Sequence, residues 1–147
     1  MKLKSKSKRA KSTPSYSILS QQKTKAILRD LPLETHFHFY EEIGKPTGQV
    51  ATNLIDFCSK LTSAQSPQSQ ASLIFHMKRG DFAAWIKQAV GDSELADKIS
   101  KINPNSYSLA EKLRQTVNDR IKQLKDAVIE YSIVPEDRDT MTHVELA

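Results

Sequence analysis

Three histidines, His36, His38 and His76, offer imidazole nitrogens for a zinc or iron site. His36 and His38 would project from one face of a strand, and His76 would have to approach them in space. No carboxylate or second histidine accompanies His76 at ligand spacing, so the three also read as polar side chains on the open face of a hairpin. Cys58 is the single cysteine. It forms no intramolecular disulfide and no cysteine-based four-ligand zinc site, and as a nucleophile it would need an exposed thiolate beside a base. The densest local set is His76, Arg79, Asp81 and Trp85. An arginine near a helix start and beside an aromatic ring could bind a carboxylate, a phosphate or a partner's acidic group, with the free helix amides helping. The structural alternative makes Asp81 a helix cap and Trp85 a core residue, with Arg79 paired to a nearby carboxylate. That alternative accounts for most of these residue choices. Gly44, Gly48, Gly80 and Gly91 all fall at expected turns, so there is no glycine-rich phosphate loop of the common nucleotide-binding kinds. No cofactor is expected.

Positive charge is concentrated at one end. Residues 1–29 hold nine Lys and Arg and no Asp or Glu. The chain as a whole has 22 basic and 17 acidic residues, so the remainder carries 13 against 17, a net of −4. The overall pI of 9.3 therefore describes a tail, and the chain beyond it is mildly acidic. Lys2, Lys4, Lys6, Lys8, Arg9 and Lys11 alternate mostly with Ser, and Pro14 follows. Such a segment cannot bury enough apolar surface to offset its ordering entropy, and residues 1–30 read as a basic disordered tail with a short helix at its end. It could hold nucleic acid through phosphate contacts without sequence preference, or serve only to keep the chain soluble. The lack of a run of about 18 apolar residues argues against a membrane span. The lack of an apolar stretch near the N-terminus argues against a secretory signal, so a cytoplasmic protein is expected.

The elements that must position these residues follow from periodicity. His36–Ile43 alternates with period two and is rich in aromatics, predicting a strand. Gly44–Gly48 predicts its turn, and Gln49–Ala51 its return. Thr52 or Asn53 caps a helix whose Leu54, Phe57, Cys58 and Leu61 share a stripe. Gln65–Gln70 reads as a polar linker, and Ala71–Lys78 as a short helix more than a strand. Gly80 breaks it, Asp81 caps the next element, and Phe82, Trp85, Ile86 and Ala89 form one face. Gly91 and Asp92 separate that from a helix carrying Leu95, Ala96, Ile99 and Ile102. Ser108 and Glu111 match a capping box at the start of the longest helix, which Pro135 is expected to end. The fold class is α+β and predominantly helical, an N-terminal β-hairpin packed on about four helices. Residues 31–134 form the single domain, and 135–147 a loose acidic tail.

Two blocks resemble a small prokaryotic, mainly archaeal domain family of unknown function. The first is Phe39-Tyr40 with Gly44, Thr47-Gly48, Ala51, Leu54 and Phe57. The second and more specific is Phe75-His76 with Arg79-Gly80-Asp81-Phe82 and Trp85-Ile86, followed by Gly91-Asp92 with Leu95-Ala96. Members stand alone or are appended to glycosyltransferases of the trehalose-synthase type. The resemblance implies a defined domain and a prokaryotic origin and carries no reaction. The expected function is a non-catalytic interaction or regulatory domain with an unidentified protein partner. The alternatives are a polyanion-binding protein acting through its tail and a metal-dependent enzyme using the three histidines.

Overall fold

The computed structural model describes the backbone of residues 20–146 and the side chains of residues 20–128. Over these residues the chain is α+β and mostly helical, with an antiparallel hairpin near the N-terminal end and the longest helix last. Residues 20–28 form helix α1, which ends ahead of Pro32. Ile27 on this helix and Leu31 just after it are buried, whereas Ala26 is exposed.

Strand β1 (Phe37–Glu42) pairs with β2 (Lys45–Ala51). Phe37 and Phe39 are buried and His38 between them is exposed, the alternation that a half-covered strand imposes. The turn is tighter than the sequence suggests. It consists of Ile43 and Gly44, and Pro46, Thr47 and Gly48 lie inside β2. Partners run Phe37 to Ala51, His38 to Val50, then Tyr40 to Pro46, so β2 carries extra residues at that point. Such a bulge tolerates both the proline, which has no N–H to give, and the φ of +91° at Gly48.

Asn53 caps α2 (Leu54–Thr62), its side-chain oxygen accepting from the Asp56 N–H at 2.7 Å. Leu54, Phe57 and Leu61 are buried and Cys58 is half-buried. Most of the expected linker is helix. Ser66 caps α3 (Pro67–Arg79) by accepting from the Ser69 N–H at 3.0 Å, and Pro67 occupies the first helical position, where an N–H has no partner to lose. Gly80, at φ +76°, ends α3 and leads directly into α4 (Asp81–Trp85), which continues as a π-helical turn over Ile86–Val90. Asp92 then caps α5 (Ser93–Ser100), accepting from the Leu95 N–H at 3.2 Å. The last helix, α6, runs over Leu109–Leu146, so it passes Pro135 instead of stopping there. A proline inside a helix removes one backbone hydrogen bond, and here the helix is present on both sides of it. Glu111 pairs with Arg114 one turn on, in place of the expected reach back to Ser108.

The described residues divide into two compact units, one of Ala26–Ile121 and one made by those up to Lys25 with those from Lys122. In the first, the rings of Phe37, Phe57 and Phe82 meet mutually, Phe82 lying 5.1 Å from each of the other two. This joins the hairpin, α2 and α4 in one aromatic core. In the second, the buried Thr24 hydroxyl donates to the Leu124 carbonyl at 3.2 Å.

Candidate functional site

Four of the residues that could do chemistry are gathered where β1, α3 and α4 meet. His76 sits on α3, 3% exposed, and its two ring nitrogens are both engaged. Nε2 lies 2.9 Å from the Tyr40 backbone nitrogen, and Nδ1 lies 2.8 Å from Asp81 Oδ2. A backbone N–H only donates, so Nε2 is the acceptor and the proton of the neutral ring is on Nδ1, donated to Asp81. Burial lowers the His76 pKa, and the pull of Asp81 in the other direction is the smaller effect. Arg79 Nε donates to the same Asp81 oxygen at 2.9 Å, and its guanidinium lies 5.2 Å from the centre of the Phe75 ring.

Asp81 was expected to cap a helix. It is instead the first residue of α4 and makes no cap bond there, because its carboxylate is turned back to His76 and Arg79. Trp85 is half-buried, with Nε1 donating to the Thr35 carbonyl at 2.7 Å. The arrangement contains the orienting half of a catalytic triad, a carboxylate behind a histidine. The half that reacts is replaced: Nε2 takes a backbone proton where a nucleophile would stand. Arg79 and Asp81 also balance in charge, which weakens the case for an anion site. The chemistry of this set is that of a clasp between the hairpin and the helices.

The other predicted positions are not brought together. His36 Nε2 is 2.9 Å from the Leu31 carbonyl, and His38 is exposed on the strand. Among the described residues no group of three or more His, Cys, Asp or Glu side chains could hold a metal ion. Burial pushes the Cys58 thiol up, with Arg114 opposing, so the reactive thiolate is disfavoured. Lys2, Lys4, Lys6, Lys8, Arg9 and Lys11 lie outside the described residues. Arg29, counted with the basic tail by sequence, is committed elsewhere: it donates to the Ala89 and Val90 carbonyls, at 2.8 and 3.2 Å, at the end of the π-helical turn.

Two features carried no recognisable motif. Asp92 and Arg120 form a buried ion pair, 1% and 4% exposed, with Arg120 Nε and Nη2 reaching the two carboxylate oxygens at 2.8 and 3.1 Å. A groove of about 270 Å³ opens between α3 and the start of α6, with Leu73, Ile74, Tyr107 and Leu109 on its walls. Tyr107 is fully exposed and Ile74 is 38% exposed. A large exposed aromatic beside an exposed aliphatic is the only sequence signal that the groove could have given, and sequence does not report exposure.

Residues 76–143 match the model of a family of unknown function (DUF5752). The match covers a little under half of the chain and begins at His76, so it takes in Arg79, Asp81 and Trp85 and leaves out the hairpin. No curated protein and no solved structure matched the chain. Among the described residues no helix is long and apolar enough to cross a membrane.

Proposed function

We propose that this protein is a cytoplasmic, non-catalytic interaction or regulatory domain that presents the groove between α3 and the start of α6 to a protein partner. The observation that carries the reading is Tyr107, an aromatic side chain fully in water, facing the same groove as the partly exposed Ile74. Exposed aromatics of this kind anchor interfaces because they bury large area at little cost in side-chain entropy. The occupant is a segment of another protein with an apolar anchor. Glu111, the one charged residue on the groove wall, is ion-paired with Arg114, so the apolar walls and not a charge set what the groove takes. The closed His76–Asp81–Arg79 set supports the same conclusion, since the residues best equipped for catalysis are occupied with one another.

The resemblance to an archaeal family found beside trehalose-synthase-type glycosyltransferases extends the proposal to an accessory role next to a sugar-transferring enzyme. Such a transferase is the first candidate partner. Photo-crosslinking from position 107, followed by reconstitution of the captured protein with the purified full chain, tests the reading. The expected result is a complex that Ile74→Arg weakens at least tenfold. A captured protein that binds Ile74→Arg as tightly as the native chain would overturn it, as would turnover of a substrate that requires His76. The second reading, polyanion binding by the tail, is favoured by the nine positive charges before Asp30.

A further inference from the structure

We propose that the open cavity bordered by β2, the end of α2 and the first turns of α3 binds a small oxyanion, the carboxylate or phosphate group of a metabolite. Its volume is about 70 Å³. One water requires about 10–15 Å³, so there is room for a group of several heavy atoms. The polar lining is Thr47, Gln49, Lys60, Ser63, Ser69 and Ser72.

Ser72 points to a ligand independently of the lining. It is 1% exposed, and its Oγ is a buried side-chain oxygen without a hydrogen-bond partner among the described residues. Buried hydroxyls are nearly always paired, because leaving one unpaired forfeits its hydration for nothing. Its neighbours are donors with protons to spare. Ser69 Oγ accepts from Ser66 Oγ at 3.0 Å, which leaves the Ser69 proton for another acceptor. Lys60 is ion-paired with Asp56, Oδ1 at 3.0 Å, so it brings no net charge and contributes only the ammonium protons that Asp56 leaves. The nearby acceptors are meanwhile filled. Asp56 Oδ2 takes the Thr52 N–H at 2.9 Å, the Lys60 carbonyl takes the Ser63 hydroxyl, and Thr47 Oγ1 takes the Gln49 N–H. The Thr47 and Ser63 hydroxyls already donate to the Phe39 and Lys60 carbonyls, and the protons left to give, on Lys60, Ser69, Ser72 and the Gln49 amide, suit a ligand that brings acceptor oxygens. The positive end of the 13-residue α3, in whose first turn Ser69 lies, favours a negative charge on them. Ala64 and Leu73 line both this cavity and the groove, but neither proposal depends on the other.

The test is amide chemical-shift mapping of the full-length chain titrated with sodium phosphate and, separately, sodium acetate at constant ionic strength. The expected result is saturable shifts at Gln49, Ser63, Ser69 and Ser72 with at least one anion. Saturation by phosphate alone assigns a phosphate group, and by acetate alone a carboxylate. Ser72→Ala removes a hydroxyl that holds no partner, so the variant folds, and it should weaken binding at least fivefold, as should Lys60→Gln. Shifts that do not saturate, or that are confined to the lysines of the tail, overturn the proposal. So does a Ser72→Ala chain that binds as tightly as the native one, which would place the anion away from the Ser72 hydroxyl.

Discussion

His76 is where protonation should be felt most. Burial holds its folded pKa below the ordinary value, so as pH falls below about 6.5 the unfolded chain takes up the proton first. Stability therefore falls from that pH down to the folded pKa and levels off once both states are protonated. The geometry agrees, because a proton on Nε2 would face the Tyr40 N–H donor to donor. Urea midpoints are expected to drop between pH 7 and pH 5 in the native chain and to change less in His76→Gln. Asp56 does not confuse this window. Burial acts to raise its pKa, but the hydrogen bonds from Thr52 and Lys60 outweigh it, and the stability that the lowered value brings is lost only well below pH 5. The buried pair makes a sharper prediction. Arg120→Met leaves the Asp92 carboxylate buried without its counter-charge and is expected to cost about 3–5 kcal/mol in urea unfolding, whereas the double variant with Asp92→Asn should recover most of it. Asp92 was legible as a helix start, but nothing in the sequence marked its pairing with Arg120, because the two are 28 positions apart and isolated charges are solvated by default.

At the level of elements, local signals were legible where one residue decides the outcome. Asn53 ahead of the Leu54–Phe57–Leu61 stripe and Gly80 after Arg79 both mark real helix ends. Gly80 is confirmed by its cost: an added Cβ would meet nothing within 4 Å, so Gly80→Ala should lose about 1–2 kcal/mol from the left-handed backbone alone, read as a lower melting temperature. Where a residue serves two kinds of structure, the sequence pointed to the wrong one. Pro46-Thr47-Gly48 has the composition of a turn but forms a bulge, since the two-residue turn at Ile43-Gly44 already reverses the chain. Pro67 resembles a linker residue and opens a helix. Asp81 has the position of a cap, yet His76 and Arg79 claim its carboxylate, and that competition involves a burial that no local window contains. The serines at 63, 66, 69 and 72 recur every three residues, a spacing that could have hinted at one polar helix edge, but only the fold shows that Ser72 is enclosed.

For the whole molecule, the charge division and the clasp lead to separate expectations. If the tail binds polyanions, replacing Lys2, Lys4, Lys6, Lys8, Arg9 and Lys11 by Gln in the full chain should abolish association with mixed DNA and RNA. The native chain should then lose affinity steeply between about 50 and 200 mM salt, as released counterions require. Equal binding by both chains would place any polyanion site outside those six residues. The role of the His76–Asp81–Arg79 set decides whether this is a binding module or a disguised enzyme, and hydrogen exchange on the full-length chain addresses it. His76→Phe keeps a ring among Phe37, Phe39 and Phe82 but removes the bonds to Tyr40 and Asp81. A clasp predicts that amide protection falls at least tenfold across Phe37–Ala51 while Ser93–Ser100 stays as protected as before. Protection of the hairpin unchanged in His76→Phe would contradict it and return His76 to the candidates for chemistry.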